Sequence, residues 1–167
     1  RVALVTGASR GIGRGVASAL AAAGATVYAT GRTIRNDTFE DDVRAIPCDH
    51  TDDAAVEEVF RRIDREGGRL DILVNGVWGG YERMVEGGRF TWADPFWKQP
   101  RWRWDAMLVA GVRAGFVASQ LAAERMVGQS AGLIVHLSHW AAVKHLGNVL
   151  YGVSKAATDK LAADMSV

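Results

Sequence analysis

The sequence has little of several things, and each shortage excludes something. It holds one cysteine, Cys48, so no intrachain disulfide can form and the expected setting is a reducing, cytoplasmic one. Cys48 ends an apolar run and reads as a small buried hydrophobe. Three prolines against 19 glycines argue for tight turns and close backbone contacts rather than a stiff or disordered linker. No apolar stretch runs uninterrupted for the ~20 residues a membrane span needs. Arg1 leads straight into a strand-like run, with no secretory leader pattern. Charge of one sign is also missing: the formal net charge is +1, which gives no reason to expect nucleic acid or an anionic membrane as a partner. Arg101 and Arg103 alternate with Trp102 and Trp104, a pattern compatible with base stacking, but the near-neutral balance argues against it. Four scattered histidines and one cysteine show no metal-ligand spacing, so no metal site is expected.

What is present is an alternation of strands and helices. Val2–Val5 reads as a strand buried on both faces, followed by a Gly-rich loop, an Ala-rich helix over Arg14–Ala23 and a stop at Gly24. Thr26–Ala29 and Val43–Ile46 read as further strands. Thr51 and Asp52 are capping types before a helix whose Val56, Val59, Phe60 and Ile63 share one face. Asp71–Val74 is a fourth strand, residues 76–104 read as loop, Trp104–Val127 as a long helix, Leu133–Leu137 as a fifth strand and Tyr151–Met165 as a last helix. Such alternation predicts a single α/β domain over residues 1–167: a Rossmann-like, doubly wound parallel sheet in three αβα layers, with its ligand crevice at the carboxyl ends of the strands. The abrupt start and the helix still in progress at Val167 read as a fragment of a longer chain.

The first strand runs into Thr6-Gly7-Ala8-Ser9-Arg10-Gly11-Ile12-Gly13. Gly7 permits the turn, Gly11 lets the backbone approach a pyrophosphate, and Gly13 lets the helix pack close to the sheet. A helix N-terminus then offers free N–H groups and a positive dipole end to phosphates, which makes Gly7, Ser9, Arg10, Gly11, Ile12 and Gly13 the candidate contacts of a dinucleotide. After the second strand comes Thr30-Gly31-Arg32, with no acid to hold the ribose hydroxyls of NAD. Arg32 suits the 2′-phosphate of NADP instead, so NADP(H) is expected over NAD(H).

Tyr151-Gly152-Val153-Ser154-Lys155 places a tyrosine and a lysine four apart, on one face of a helix. A free phenol titrates at ~10. A neighbouring ammonium is expected to lower that value and let Tyr151 exchange a proton with a carbonyl or alcohol oxygen.

The loop spacing TGxxxGxG and the later YxxxK resemble the short-chain dehydrogenase/reductase family, in its single-domain branch, over the whole chain. The resemblance implies hydride transfer between a nicotinamide and a carbonyl or alcohol carbon, and homodimers or homotetramers. It also implies further strands and a substrate lid beyond Val167. By the same resemblance Arg10 sits where NADP-preferring members often carry a base, Asp49 contacts the adenine, and Asn75 braces the loop beside the cofactor. Lys155 also holds the nicotinamide ribose, and a serine at the end of the fifth strand orients the substrate oxygen. Ser138 has the family spacing to Tyr151, thirteen residues, whereas matching the strand itself puts His139 in that place. Ser138 is chosen, with His139 kept as neighbour or substitute. The family's asparagine in the long helix, which bends the helix and holds a water behind the lysine, is replaced by Gly111. Pro95-Phe96-Trp97, Gly111-Val112-Arg113 and Tyr151–Ala157 resemble one branch of the family and imply a reductase of bulky apolar ketones. Trp78, Trp92, Trp97, Trp102 and Trp104 are candidate walls for such a substrate. A different class stays open, a protein that binds NADP(H) without turnover.

Overall fold

The structure, a computed structural model, describes residues 1–40 and 42–166. Its main sheet has five parallel strands: β1 (Val2–Thr6), β2 (Thr26–Gly31), β3 (Val43–Pro47), β4 (Ile72–Asn75) and β7 (Leu133–His136), in the order β3-β2-β1-β4-β7. The sequence reverses direction across the sheet between β1 and β4, so their carboxyl ends diverge into a crevice. β1 is buried along its whole length, as an apolar strand at the centre of a covered parallel sheet must be.

Helix α1 (Gly11–Ala22) covers one face, with Ala17 packed among Ala3, Val5, Val27 and Ala29. Helix α2 (Asp53–Gly67) lies on the other and buries the expected Val56, Val59, Phe60 and Ile63. Asp52 caps it by accepting from the amides of Ala54 and Ala55, at 3.0 and 3.4 Å, and Gly68 ends it in the left-handed region at φ 65°. The long helix α3 (Trp102–Gly128) joins this second face through Ala118, Ala122 and Met126. By length and composition alone it is long and apolar enough to cross a bilayer, and its buried positions show how the apolar side chains are used here. Helix α4 (Val149–Asp164) starts two residues before the expected Tyr151, because the Asn148 side chain accepts from the Tyr151 amide at 3.0 Å and sets the first turn.

Two details depart from the expected element map. The 76–104 segment is not featureless: it carries a 3₁₀ turn at Tyr81–Arg83, a hairpin of β5 (Val85–Glu86) and β6 (Arg89–Phe90), and another turn at Phe96–Lys98. Within α3, Asp105–Arg113 is wound as a π-helix, which widens the turns beside Gly111. The loop docks there, with the Gly79 amide donating to the Ala106 carbonyl at 3.1 Å.

Candidate active site

The glycine loop forms a cradle that side chains would fill. A Cβ on Gly7, at φ 70°, would lie 2.5 Å from the Gly76 carbonyl oxygen, and one on Gly13 would lie 2.5 Å from that of Gly7. Gly11 is also left-handed, at φ 59°, and opens to free space. The α1 N-terminus has no side-chain cap, so its first amides stay available to a ligand. In front of it lies a cleft of about 420 Å³ lined from four strand ends, including Ser9, Arg10, Arg32, Asp49 and Trp78. Its size and its place before the α1 amides fit a nucleotide. Ile12 stands exposed on the first turn of α1. Gly31, which the sequence reading passed over, matters here: a side chain on it would strike the Ser9 hydroxyl.

The charged groups are less uniform than expected. Arg32 lines the cleft, whereas Arg10 forms an ion pair with Glu82 of the 3₁₀ turn, a partner no local pattern signalled. An anion arriving at Arg10 competes with that carboxylate. Asp49 uses its carboxylate on the Thr51 amide and hydroxyl, at 3.0 and 2.8 Å, and these bonds hold it below the usual carboxylate range. Beside it His50 is buried against Thr30 (Nε2 to Oγ1 2.8 Å), and burial pushes its imidazole down to about 4. Cys48 is buried too, and its thiol is pushed up to about 11, first by burial and then by Asp49 and Asp52. Asn75 points beneath the cleft: its amide donates to Ser119 at 3.0 Å and lies 3.4 Å from His136, while its carbonyl oxygen is buried without a protein partner.

Tyr151 sits in an aromatic cage. The rings of Trp78 and Trp92 each lie 5.3 Å from it, Tyr81 6.1 Å and His139 5.4 Å. Of the five loop tryptophans, only Trp78 and Trp92 reach it. Trp97 and Trp104 are exposed, and Trp102 donates to Glu86 at 2.8 Å. The cage is held from below by Arg103, fully buried, which donates to the Thr91 carbonyl and hydroxyl at 2.9 and 2.7 Å. Asn148 adds a bond to the Trp92 carbonyl at 3.0 Å and so ties the loop to the start of α4.

The Tyr151–Lys155 pair differs from the sequence expectation. Lys155 Nζ lies 6.0 Å from the Tyr151 ring centre, donates to the Leu137 carbonyl at 3.2 Å and rests over Trp78 at 5.2 Å. It does not lower the phenol. Burial pushes Tyr151 above its ordinary range, the nearby Tyr81 phenol adds to the push, and burial brings Lys155 down to about 8 against a smaller opposing effect of Asp159.

Ser138 and His139 divide in the same way. The Ser138 hydroxyl donates to the Lys155 carbonyl at 3.4 Å, on the helix side, and makes no hydrogen bond to Tyr151. His139 stacks near Tyr151, its Nδ1 accepting from the Ala141 amide at 3.1 Å.

Residues 1–167 match the profile of the short chain dehydrogenase family. The chain belongs to that family. It is 43% identical to mouse dehydrogenase/reductase SDR family member 1 over 173 aligned residues, covering 98% of this chain and 54% of that protein. It therefore spans about half the length of this short-chain dehydrogenase relative. Among solved structures it is similar to a short-chain dehydrogenase from Streptomyces avermitilis, at TM-score 0.82 and 26% identity over 99% of this chain and 59% of the other. A metagenomic short-chain oxidoreductase solved with NADP shares the fold, at TM-score 0.83 and 24% identity over 99% and 74% of the two chains.

Proposed function

We propose that residues 1–167 form one NADP(H)-binding domain of a cytoplasmic oxidoreductase that moves hydride between the nicotinamide and a carbonyl or alcohol carbon. The observation that carries this reading is a shared wall. Trp78 lines the nucleotide cleft and also touches both Tyr151 and Lys155, so the cradle and the acid–base pair open onto one site. When bound, the nicotinamide supplies or accepts the hydride. The chain's own residues do the rest: the glycine loop and the α1 amides hold the pyrophosphate, and Arg32 and Arg10 take the 2′-phosphate, Arg10 on release from Glu82. Lys155 holds the ribose hydroxyls, and Tyr151 exchanges the proton.

The substrate oxygen falls to His139 rather than to Ser138. With Nδ1 accepting from Ala141, a neutral ring carries its hydrogen on Nε2, and that ring lies 5.4 Å from the ring of Tyr151. Trp78, Tyr81 and Trp92 around Tyr151 favour a bulky apolar ketone or alcohol. The family resemblance supports a homodimer or homotetramer.

Titrating NADPH and NADH while following energy transfer from tryptophan to the reduced nicotinamide tests the cofactor assignment. NADPH binds more tightly, and Arg32→Glu weakens NADPH by about 10–100-fold with little effect on NADH, the loss of one charge-assisted pair. Equal affinity for both nucleotides in the wild type sinks the preference. A folded protein that binds both and turns over no ketone, or a Tyr151→Phe variant as active as wild type, leaves the binding-only alternative.

A further inference from the structure

The route by which Tyr151 recovers its proton is set by three residues that lie far apart in sequence. Gly111 has no side chain to hold a water behind Lys155, and the space is taken. A Cβ on Gly111 would lie 2.9 Å from Trp78 Cδ1, and the Trp78 indole donates onward to Ser154 Oγ at 3.4 Å. The cavity left behind the lysine, bounded by Asn75, Trp78, Gly111 and Lys155, measures about 10 Å³. That is at the limit for a single water, so no chain of waters reaches the lysine from this side.

On the other side of Tyr151 a hydroxyl is already in place. Tyr81 Oη donates to Tyr151 Oη at 3.1 Å, and the Tyr81 side chain is 51% exposed. Tyr81 therefore bridges the buried phenol and solvent. Its position is fixed by Trp78 and Trp92, at 4.5 and 5.4 Å ring to ring, and by the start of its turn at Gly80, where a Cβ would strike Met107. The ionisable side chains facing Tyr151 are Tyr81, His139 and Lys155, and of these only Tyr81 is hydrogen-bonded to its hydroxyl among the described residues.

We propose that Tyr81 is the proton relay of this site, passing protons between solvent and Tyr151 in place of a water held behind Lys155. The proposal rests on the oxidoreductase reading above. In the reducing direction the Tyr151 O–H bond breaks as the O–H bond of the product alcohol forms, the hydride having come from the reduced nicotinamide. The Tyr151 phenolate then takes the Tyr81 proton, and Tyr81 takes one from water or a buffer acid. Oxidation runs the same transfers backwards. Burial makes the Tyr151 phenolate strongly basic, which favours its reprotonation.

Tyr81→Phe is the informative variant, because it keeps the ring and its stacking and removes only the hydroxyl. We expect kcat to fall about 100-fold, at the lower end of what positioned proton transfer contributes, with KM for the ketone and affinity for NADPH unchanged. The solvent deuterium effect on kcat should rise and the effect of deuterated NADPH should shrink, as reprotonation becomes limiting. Added imidazole buffer should restore part of the rate. A second readout needs no cofactor. Ultraviolet titration of the phenols, with Tyr151→Phe to assign the signal, should show Tyr151 ionising at lower pH in Tyr81→Phe than in wild type. Wild-type kcat and isotope effects in Tyr81→Phe overturn the relay, as does a loss carried by KM and unmoved by buffer, or an unmoved Tyr151 midpoint. A folded wild type without turnover instead overturns the oxidoreductase reading, and the relay with it, whatever the titration shows.

Discussion

The nucleotide cleft and the aromatic cage are adjacent, yet they are built on opposite principles. The cleft is made by what is missing. Gly7, Gly13 and Gly31 let backbone and side chains approach closer than a Cβ would allow, and the groups they leave open are main-chain amides. The cage is made by bulk. Trp78, Tyr81 and Trp92 converge on Tyr151 from a loop with little regular structure, and a buried arginine holds that loop. A backbone site is encoded locally, in the order of residues along one turn. A side-chain site is encoded by packing between segments more than fifty residues apart, as in the Asn148–Trp92 and Tyr81–Tyr151 bonds.

That contrast can be broken from either side. The largest effect is expected in the cage, at the end of β7. His139→Ala should lower kcat by about 10²–10³-fold, the usual loss of one donor to a developing oxyanion, while Ser138→Ala changes kcat by less than about threefold. NADPH affinity should hold in both variants. The reverse result returns the substrate oxygen to Ser138.

Next is the cleft. In Gly13→Ala the new methyl meets the Gly7 carbonyl oxygen at 2.5 Å, so the loop must deform. Fluorescence titration should show NADPH weakened by about 100-fold, or about 2.7 kcal/mol, with the aromatic cage intact by near-ultraviolet circular dichroism. Unchanged affinity would mean that the amides of this turn do not bind the phosphates.

The smallest effect concerns the opposite, amino ends of the strands, away from both sites. Asp71 accepts from the Val2 amide at 2.8 Å and pairs with Arg69, which holds its carboxyl down to about 2. A depressed carboxyl contributes stability above its unfolded value of ~3.9, and that stability is lost as pH falls towards 2. With Arg69 half exposed, the contribution is about 1–2 kcal/mol. Urea unfolding at pH 7 and near pH 2.5 should show Asp71→Asn less stable than wild type by this amount at the higher pH, with the gap narrowing at the lower. A gap independent of pH would make the Val2 hydrogen bond, not the charge, the source.

Much of the fold and of the glycine cleft is legible in the sequence. The apolar runs of β1, β2 and β4 and the repeat of Val56, Val59, Phe60 and Ile63 in α2 report burial through period alone. The glycine loop reports its turn through residue type. The aromatic cage is legible only in part. Tyr151 and Lys155 were visible by spacing, but their electrostatics were not, because desolvation depends on what packs around a group. Ser138 was favoured by counting back from Tyr151. The backbone path after His136 instead turns Ser138 towards Lys155 and His139 towards Tyr151. Glu82 and Tyr81 carried no signal, since an ion pair or a hydroxyl contact across seventy residues leaves no trace in local pattern.

The sequence by itself determined the α/β alternation, the parallel sheet and the glycine turn at the end of β1, because periodicity, capping and the absence of a Cβ act over a few neighbouring residues. Only the tertiary structure decided which tryptophans reach the site, which of Ser138 and His139 faces Tyr151, what fills the place beside Gly111, and which way the phenol and the ammonium titrate. Those outcomes depend on distance and burial between segments that meet only when the sheet and its helices have closed.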